Sequence, residues 1–252
     1  MEIVNFQKET SEQSGLRLVA DAKDVTELSA IDKQFVNFTF LRVNPEWRRL
    51  DENTKSECRA EFMSVFESFR AGLLMFSYSL VGFDSKADLL FWRIGDSLDL
   101  IQELTAKLYR TRLGSFFETV DNYLSITKGM MFVGGGHEDR VHVSAGAKKY
   151  LFLYPCAKSK DWYEKSEEER DALIEENFMV GRRFQNIRIH LTHAFGFSEQ
   201  EYIICFETDE PKDFLALAEE LRQTPASKFR LRGMPIYTCR QRSLKDCLEA
   251  LG

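Results

Sequence analysis

Two stretches of the chain decide its fold: residues 35–49, FVNFTFLRVNPEWRR, and residues 148–163, KKYLFLYPCAKSKDWY. Each contains an apolar, strand-like run that leads to a tryptophan, Trp47 in the first stretch and Trp162 in the second. A Gly-Phe pair then follows at nearly the same distance, with Gly82 35 residues after Trp47 and Gly196 34 residues after Trp162. Such self-similarity indicates that one structural unit is repeated along the chain.

The two copies predict the same order of elements. In the first copy we predict strand 35–43, a helix from Asp51 to residue 70, strands 73–82 and 87–94, helix 97–110 and a closing strand near 122–129. In the second copy we predict strand 148–155, a helix from Ser166, strands 186–195 and 201–208, a helix opened by Pro211 and strand 236–240. Ser166 and Glu169 have the spacing of a capping box, and proline suits a first helical turn.

This order is βαββαβ, written twice. The sequence therefore predicts an α+β protein of the dimeric α+β barrel type, with two tandem ferredoxin-like domains, each an antiparallel four-stranded sheet with helices on one face. We expect an N-terminal arm at 1–30, domain 1 at 31–128, a connector at 129–147 and domain 2 at 148–252. The connector contains Gly134 to Gly136, but the run lacks the G-x-x-x-x-G-K pattern of a phosphate-binding loop.

Composition excludes several classes of function. The net charge of -6 and the absence of a basic stripe argue against nucleic acid as a partner. No apolar run reaches the roughly 18 to 20 residues that cross a bilayer, and the N-terminus does not resemble a signal peptide, so we expect a cytoplasmic protein. The five cysteines lack C-x-x-C spacing, which favours reduced, buried thiols over a disulfide framework or a zinc site.

The four histidines suggest neither a metal site nor familiar hydrolase chemistry. His190 and His193 lie three residues apart in a predicted strand, so their side chains should point to opposite faces. The chain contains no H-E-x-x-H and no G-x-S-x-G motif. We therefore predict no metal-ligand set from the residues alone.

A set of short motifs in the second copy follows a familiar order: YP-x-x-K at 154–158, WY at 162–163, ER at 169–170, GRR at 181–183, FG at 195–196 and FETD at 206–209. On these motifs the chain closely resembles the chlorite dismutase family, which includes the coprohaem decarboxylases. The resemblance covers most of the chain, because the first copy also looks like the N-terminal half of that family. It implies a ring-shaped oligomer, commonly a pentamer.

The resemblance also implies a haem or coprohaem site in the second domain, but the axial ligand is missing. In the family, a histidine on the helix after the WY pair holds the iron, and the spacing from Trp162 places Asn177 there. The family's carboxylate that orients this histidine falls where Pro225 and Ala226 stand. An amide oxygen is a poor substitute for a proximal imidazole, which both binds iron and donates its second N–H.

Other pocket positions are partly retained. Ile189 stands where chlorite-decomposing members have an arginine and the decarboxylases a glutamine, which predicts an apolar wall. Tyr154 matches the radical-forming tyrosine of the decarboxylases and is a candidate catalytic residue, while Lys158 matches their propionate-contacting lysine. Asn177 lies on the same helix face as Leu173, Val180 and Phe184, by helical spacing, and should therefore point inward.

Three functions remain open from the sequence. The first is a family member without histidine-ligated haem that binds a tetrapyrrole or another flat ligand, with Lys158, Arg182 or Arg183 offering positive charge. The second is an active haem-dependent oxidoreductase or coprohaem decarboxylase that uses another iron ligand, such as His193. The third is a structural subunit of a homo-oligomer or of a hetero-oligomer with a related chain. Predicted pocket residues are Lys158, Trp162, Asn177, Ile189 and His193.

Overall fold

A computed structural model describes residues 34–127, 132–133, 146, 148–231 and 233–252. The predicted arm at 1–30 and the triple glycine at 134–136 lie outside the described residues. The first half contains strands β1 (Phe35–Val43), β2 (Leu74–Ser79), β3 (Leu89–Gly95) and β4 (Phe117–Ile126), with helices α1 (Glu52–Glu67) and α2 (Leu98–Arg110).

The second half repeats this order. After the short strand β5 (Phe132–Val133), it contains β6 (Tyr150–Cys156), β7 (Arg188–His193), β8 (Tyr202–Thr208) and β9 (Tyr237–Gln241). Its helices are the single turn α3 (Lys160–Tyr163), α4 (Glu167–Arg182), α5 (Pro211–Gln223) and the C-terminal α6 (Leu244–Glu249). Short 3₁₀ turns follow β1, α2 and α5, at Pro45–Arg49, Gly114–Phe116 and Pro225–Phe229.

The two halves share one antiparallel sheet. Its strand order is β4-β1-β3-β2 in the first half and β9-β6-β8-β7 in the second, so each half places its fourth strand beside its first. Strand β2 pairs with β9, and β4 pairs with β7 through Ile126 and His193, which closes the eight long strands into a ring. The predicted pair of ferredoxin-like units is confirmed, and the two four-stranded sheets are joined edge to edge into a barrel.

Strict alternation along the strands separates the barrel interior from the outer faces. On β1, Val36, Phe38 and Phe40 point into the barrel, while Leu41 and Val43 pack outward beneath α1 and α2. Because successive side chains of a strand point to opposite faces, each half needs a second apolar layer under its helices. Cys58, Cys156, Cys205, Cys239 and Cys247 are all buried, free thiols, as the sequence predicts.

Local signals fix the turns and helix ends. The side chain of Asp51 accepts a hydrogen bond from the backbone of Thr54 at the start of α1, and Ser166 and Glu169 form both bonds of a capping box on α4. Gly82 and Gly196 both have positive φ, 81° and 77°, at the equivalent turn of each half. Glycine adopts this conformation at little cost, which explains why the repeat retains it.

Candidate functional site

Helix α4 and strand β7 contribute Arg170 and His193, respectively, to one cleft of the second half. Only residues 183–187 separate them, so the chain reverses and the two elements run in opposite directions. Arg170 and Asn177 lie seven residues apart on α4, about two turns, and share one face of that helix. Ile189 and His193 lie four residues apart on β7 and share its outer face. We call the space between these two faces the α4–β7 groove.

Asn177 is half-buried on α4, and its side-chain oxygen Oδ1 is fully buried without a hydrogen-bond partner among the described residues. Its stripe partners Val180 and Phe184 pack against the apolar cluster of this half, which supports the predicted inward orientation. An unpaired buried amide oxygen costs on the order of 1 to 3 kcal/mol. No bond from this oxygen to neighbouring backbone is present within the part of the chain that the structure describes.

Ile189 and Tyr154 lie in the same apolar cluster, which is built around Phe152, Ile187, Phe206, Phe214 and Leu217. The Tyr154 ring makes edge contacts with Phe206 and Phe214, at centroid distances of 5.5 and 5.8 Å. Burial raises the pKa of Tyr154, although the positive charges of Arg230 and Arg222 oppose this shift. Ile189 therefore packs among apolar side chains.

Lys158 and Trp162 form a cation–π pair beside this cluster. The ammonium nitrogen Nζ of Lys158 lies 4.3 Å from the centroid of the buried Trp162 ring. Burial lowers the pKa of Lys158, and the charge of Arg230 acts in the same direction, while Cys156 and Glu201 oppose it. Arg230 in turn lies over the Tyr154 ring at 5.0 Å. Two cations therefore flank the aromatic side chains at this end of the sheet.

An open cleft of about 490 Å³ lies at the Arg170 end of α4. Its lining residues come from α3, α4, the β4–β7 junction, the loop after β7 and the start of β8: Ile126, Trp162, Tyr163, Arg170, His193, Phe195 and Tyr202. Tyr202 sits between His193 and Phe195, with ring centroids 5.3 and 5.1 Å away. Burial, followed by a hydrogen bond to Glu201, raises the pKa of Tyr163.

The structure brings the predicted pocket residues together in two groups. Trp162 and His193 line the cleft, whereas Tyr154 and Ile189 belong to the apolar cluster. Lys158 joins the groups through its contact with Trp162. The sequence did not single out Tyr202 or Arg230, because neither lies in a distinctive pattern. Arg170 was visible only as the second residue of the ER motif.

The two described histidines sit on opposite faces of β7, as their spacing predicts. His190 is buried inside the barrel, where its Nε2 lies 2.9 Å from Oε2 of Glu207, while His193 is half-buried on the outer face. The His190 side chain therefore points away from the α4–β7 groove. His193 is the described imidazole that borders the cleft.

The residues facing the groove from α4 do not fit a histidine-ligated haem iron. Residue 177 supplies an amide, and α4 contains no histidine. In the turn Pro225–Phe229, where the resemblance would place an orienting carboxylate, Ala226 is buried and no acidic residue is present. Within the described ranges no three His, Cys, Asp or Glu side chains are grouped so as to hold a metal ion.

A closed barrel of two ferredoxin-like halves defines the fold class of this protein. The model of the chlorite dismutase family matches residues 55–242, and the chain belongs to this family. It is 25% identical over 175 residues to the coproheme decarboxylase of Mycolicibacterium smegmatis, covering 69% of this chain and 75% of that protein. It is 22% identical over 208 residues to the chlorite dismutase of Ideonella dechloratans, covering 79% and 72%.

Solved structures share the fold. The chlorite dismutase of Candidatus Nitrospira defluvii in complex with imidazole superposes with a TM-score of 0.79 at 22% identity, covering 90% of this chain and 99% of that one. Among the residues that the structure describes, no helix has the length and apolar character needed to span a membrane.

Proposed function

We propose that this protein is a chlorite dismutase-family chain that binds a flat, carboxylate-bearing ligand of the tetrapyrrole class in the α4–β7 groove without ligating iron through a histidine of α4. One observation carries the proposal: the position expected to hold the iron ligand is Asn177, whose Oδ1 is buried without a hydrogen-bond partner among the described residues. A buried polar atom of this kind is suited to a bound ligand or water.

The charged and aromatic groups around the groove support a ligand with carboxylates. Lys158 and Arg230 are cations held against Trp162 and Tyr154, and an arginine or lysine pairs strongly with a carboxylate in a site shielded from water. Ile189 and the aromatic cluster offer an apolar surface to a planar ring system. In this proposal the aromatic ring of Tyr154 contacts and positions the ligand. Tyr154 does not need to form a radical for this role.

The proposal extends to assembly and location. We place the protein in the cytoplasm as a homo-oligomer, a pentamer by family resemblance, or as part of a hetero-oligomer with a related chain. A purely structural role in such an assembly is the competing function. The second competitor, a haem-dependent oxidoreductase or decarboxylase, would draw on His193, since this imidazole borders the cleft.

A fluorescence titration with iron-free coproporphyrin tests the binding function without involving iron ligation. We expect saturable quenching of the Trp162 emission, because this ring lines the cleft and contacts Lys158. Replacement of the lysine, Lys158→Gln, should weaken binding roughly tenfold or more, whereas Lys245→Gln, at an exposed position on α6, should not. Absence of saturable binding in the unmodified protein would refute the binding function and favour the structural subunit.

A further inference from the structure

The cleft at the Arg170 end of α4 has the size and lining of a site for a small ligand. Its volume of about 490 Å³ falls within the range of roughly 300 to 1,000 Å³ that is usual for ligand pockets. Trp162, Phe195 and Tyr202 supply aromatic surface, and Phe195 is 46% exposed although it is apolar. A ring-containing molecule would cover these side chains.

The polar groups of the cleft are mainly hydrogen-bond donors. Arg170 is half-buried, and its only described hydrogen bond goes from Nη1 to the backbone oxygen of Lys165 at 3.3 Å. It has no carboxylate within ion-pair distance in the described part of the chain. A guanidinium has five N–H donors, so most of those on Arg170 are available to a ligand in the cleft.

The tyrosines of the cleft remain neutral donors. Burial raises the pKa of Tyr202, and nearby Glu201 acts in the same direction against the opposing charge of Arg170. Its hydroxyl has no hydrogen-bond partner among the described residues. The carboxylate of Glu201 accepts a hydrogen bond from the backbone N–H of Lys158 at 2.8 Å, so this nearby negative charge is already engaged.

We propose that this cleft binds a small aromatic carboxylate, with the carboxylate on the Arg170 guanidinium and the Tyr202 hydroxyl and the ring against Trp162 and Phe195. Aromatic walls with a single guanidinium favour this class over a phosphate group, which would call for several basic side chains or a row of backbone N–H groups. The cleft shares Trp162 with the site of the proposed function, so this inference names a ligand class for one end of that site and rests on the proposed function, although it requires neither iron nor Asn177.

Isothermal titration calorimetry with benzoate tests the proposal, with uncharged benzamide as the matched ligand. We expect saturable one-to-one binding of benzoate and at least roughly tenfold weaker binding of benzamide, because a hydrogen bond to a charged partner is the stronger kind. Arg170→Gln should weaken benzoate binding roughly 10- to 100-fold, and Tyr202→Phe by several-fold. Arg240→Gln, at an exposed arginine of β9, should leave the affinity unchanged.

Equal affinities for benzoate and benzamide, an unaffected Arg170→Gln variant, or no saturable benzoate binding would each overturn the proposal. Circular dichroism of every variant establishes that a lost affinity does not come from a lost fold, and Arg170→Lys keeps the charge while removing the planar fork. A failure of tetrapyrrole binding and a failure of carboxylate binding are thus separate results.

Discussion

The carboxylate of Glu207 on β8 lies 2.9 Å from Nε2 of His190 on β7, and both side chains are buried inside the barrel. The same carboxylate accepts hydrogen bonds from the Tyr78 hydroxyl at 3.1 Å and from the backbone N–H of Gly146 at 2.8 Å. Tyr78 belongs to the first half and Glu207 to the second. This buried carboxylate therefore ties the two halves together across the interior.

Replacement of the carboxylate, Glu207→Gln, should lower the free energy of unfolding by about 2 to 4 kcal/mol, because buried donors lose a charged acceptor. Urea denaturation measures the change. The matched control is Glu199→Gln at an exposed glutamate, which should change the stability by less than about 0.5 kcal/mol. Equal stability of the two variants would show that the interior contact contributes nothing.

Ionisation of the Cys156 thiol should lower the free energy of unfolding at alkaline pH. Burial raises the pKa of Cys156 from 9.0 to about 11, against the opposing charges of Lys158 and Arg230. Between these values the thiol ionises in the unfolded chain but stays neutral in the folded one. Stability should therefore fall as the pH rises through this window, by about 2 to 3 kcal/mol from this group.

Urea denaturation on either side of the window, for the unmodified protein and for Cys156→Ala, checks this expectation. Other groups titrate in the same range, so the informative quantity is the difference in slope between the two proteins. The variant should lose less stability than the unmodified protein. If both lose the same free energy, ionisation of Cys156 is not coupled to folding.

The capping box at the start of α4 should stabilise the helix that carries Asn177. Backbone N–H of Glu169 donates to the Ser166 hydroxyl at 3.3 Å, and backbone N–H of Ser166 donates to Oε2 of Glu169 at 3.0 Å. Ser166→Ala should cost about 1 kcal/mol in thermal or urea unfolding. Ser64→Ala, at an exposed position inside α1, should be neutral or slightly stabilising, and a similar loss in both variants would contradict the capping role.

The unpaired oxygen of Asn177 predicts a gain in stability when it is removed. Asn177→Leu should raise the free energy of unfolding of the ligand-free protein by about 1 to 2 kcal/mol, because the cost of an unsatisfied buried amide disappears. Asn53→Leu, at an exposed position near the start of α1, should stay within about 0.5 kcal/mol. Destabilisation by Asn177→Leu would mean that the oxygen has a partner in solution.

The sequence predicted most of the fold for identifiable physical reasons. Asp51, Ser166 and Pro211 are helix-start signals that act locally, and each stands at the start of its helix in the structure. The barrel type was predicted, but the residue pairing that closes it, Ile126 with His193, was not readable because it joins residues far apart in the chain. No local pattern encodes such a pairing.

The site was predictable only in part. The inward orientation of Asn177 follows from helical spacing, and the opposite orientations of His190 and His193 follow from strand alternation. The contact between His190 and Glu207 was not predicted from the sequence, because it depends on the register between β7 and β8. Arg170 and Tyr202 meet at the cleft through tertiary packing, which spacing along the chain does not report.

The most direct measurement is an absorption titration of the purified protein with ferric haem and coprohaem, run beside Asn177→His and the matched control Asn177→Gln. We expect no sharp, saturable Soret band typical of histidine ligation in the unmodified protein or in Asn177→Gln, and we expect such a band in Asn177→His. A histidine-type band in the unmodified protein, lost in His193→Ala, would contradict the loss of histidine ligation and establish His193 as the iron ligand.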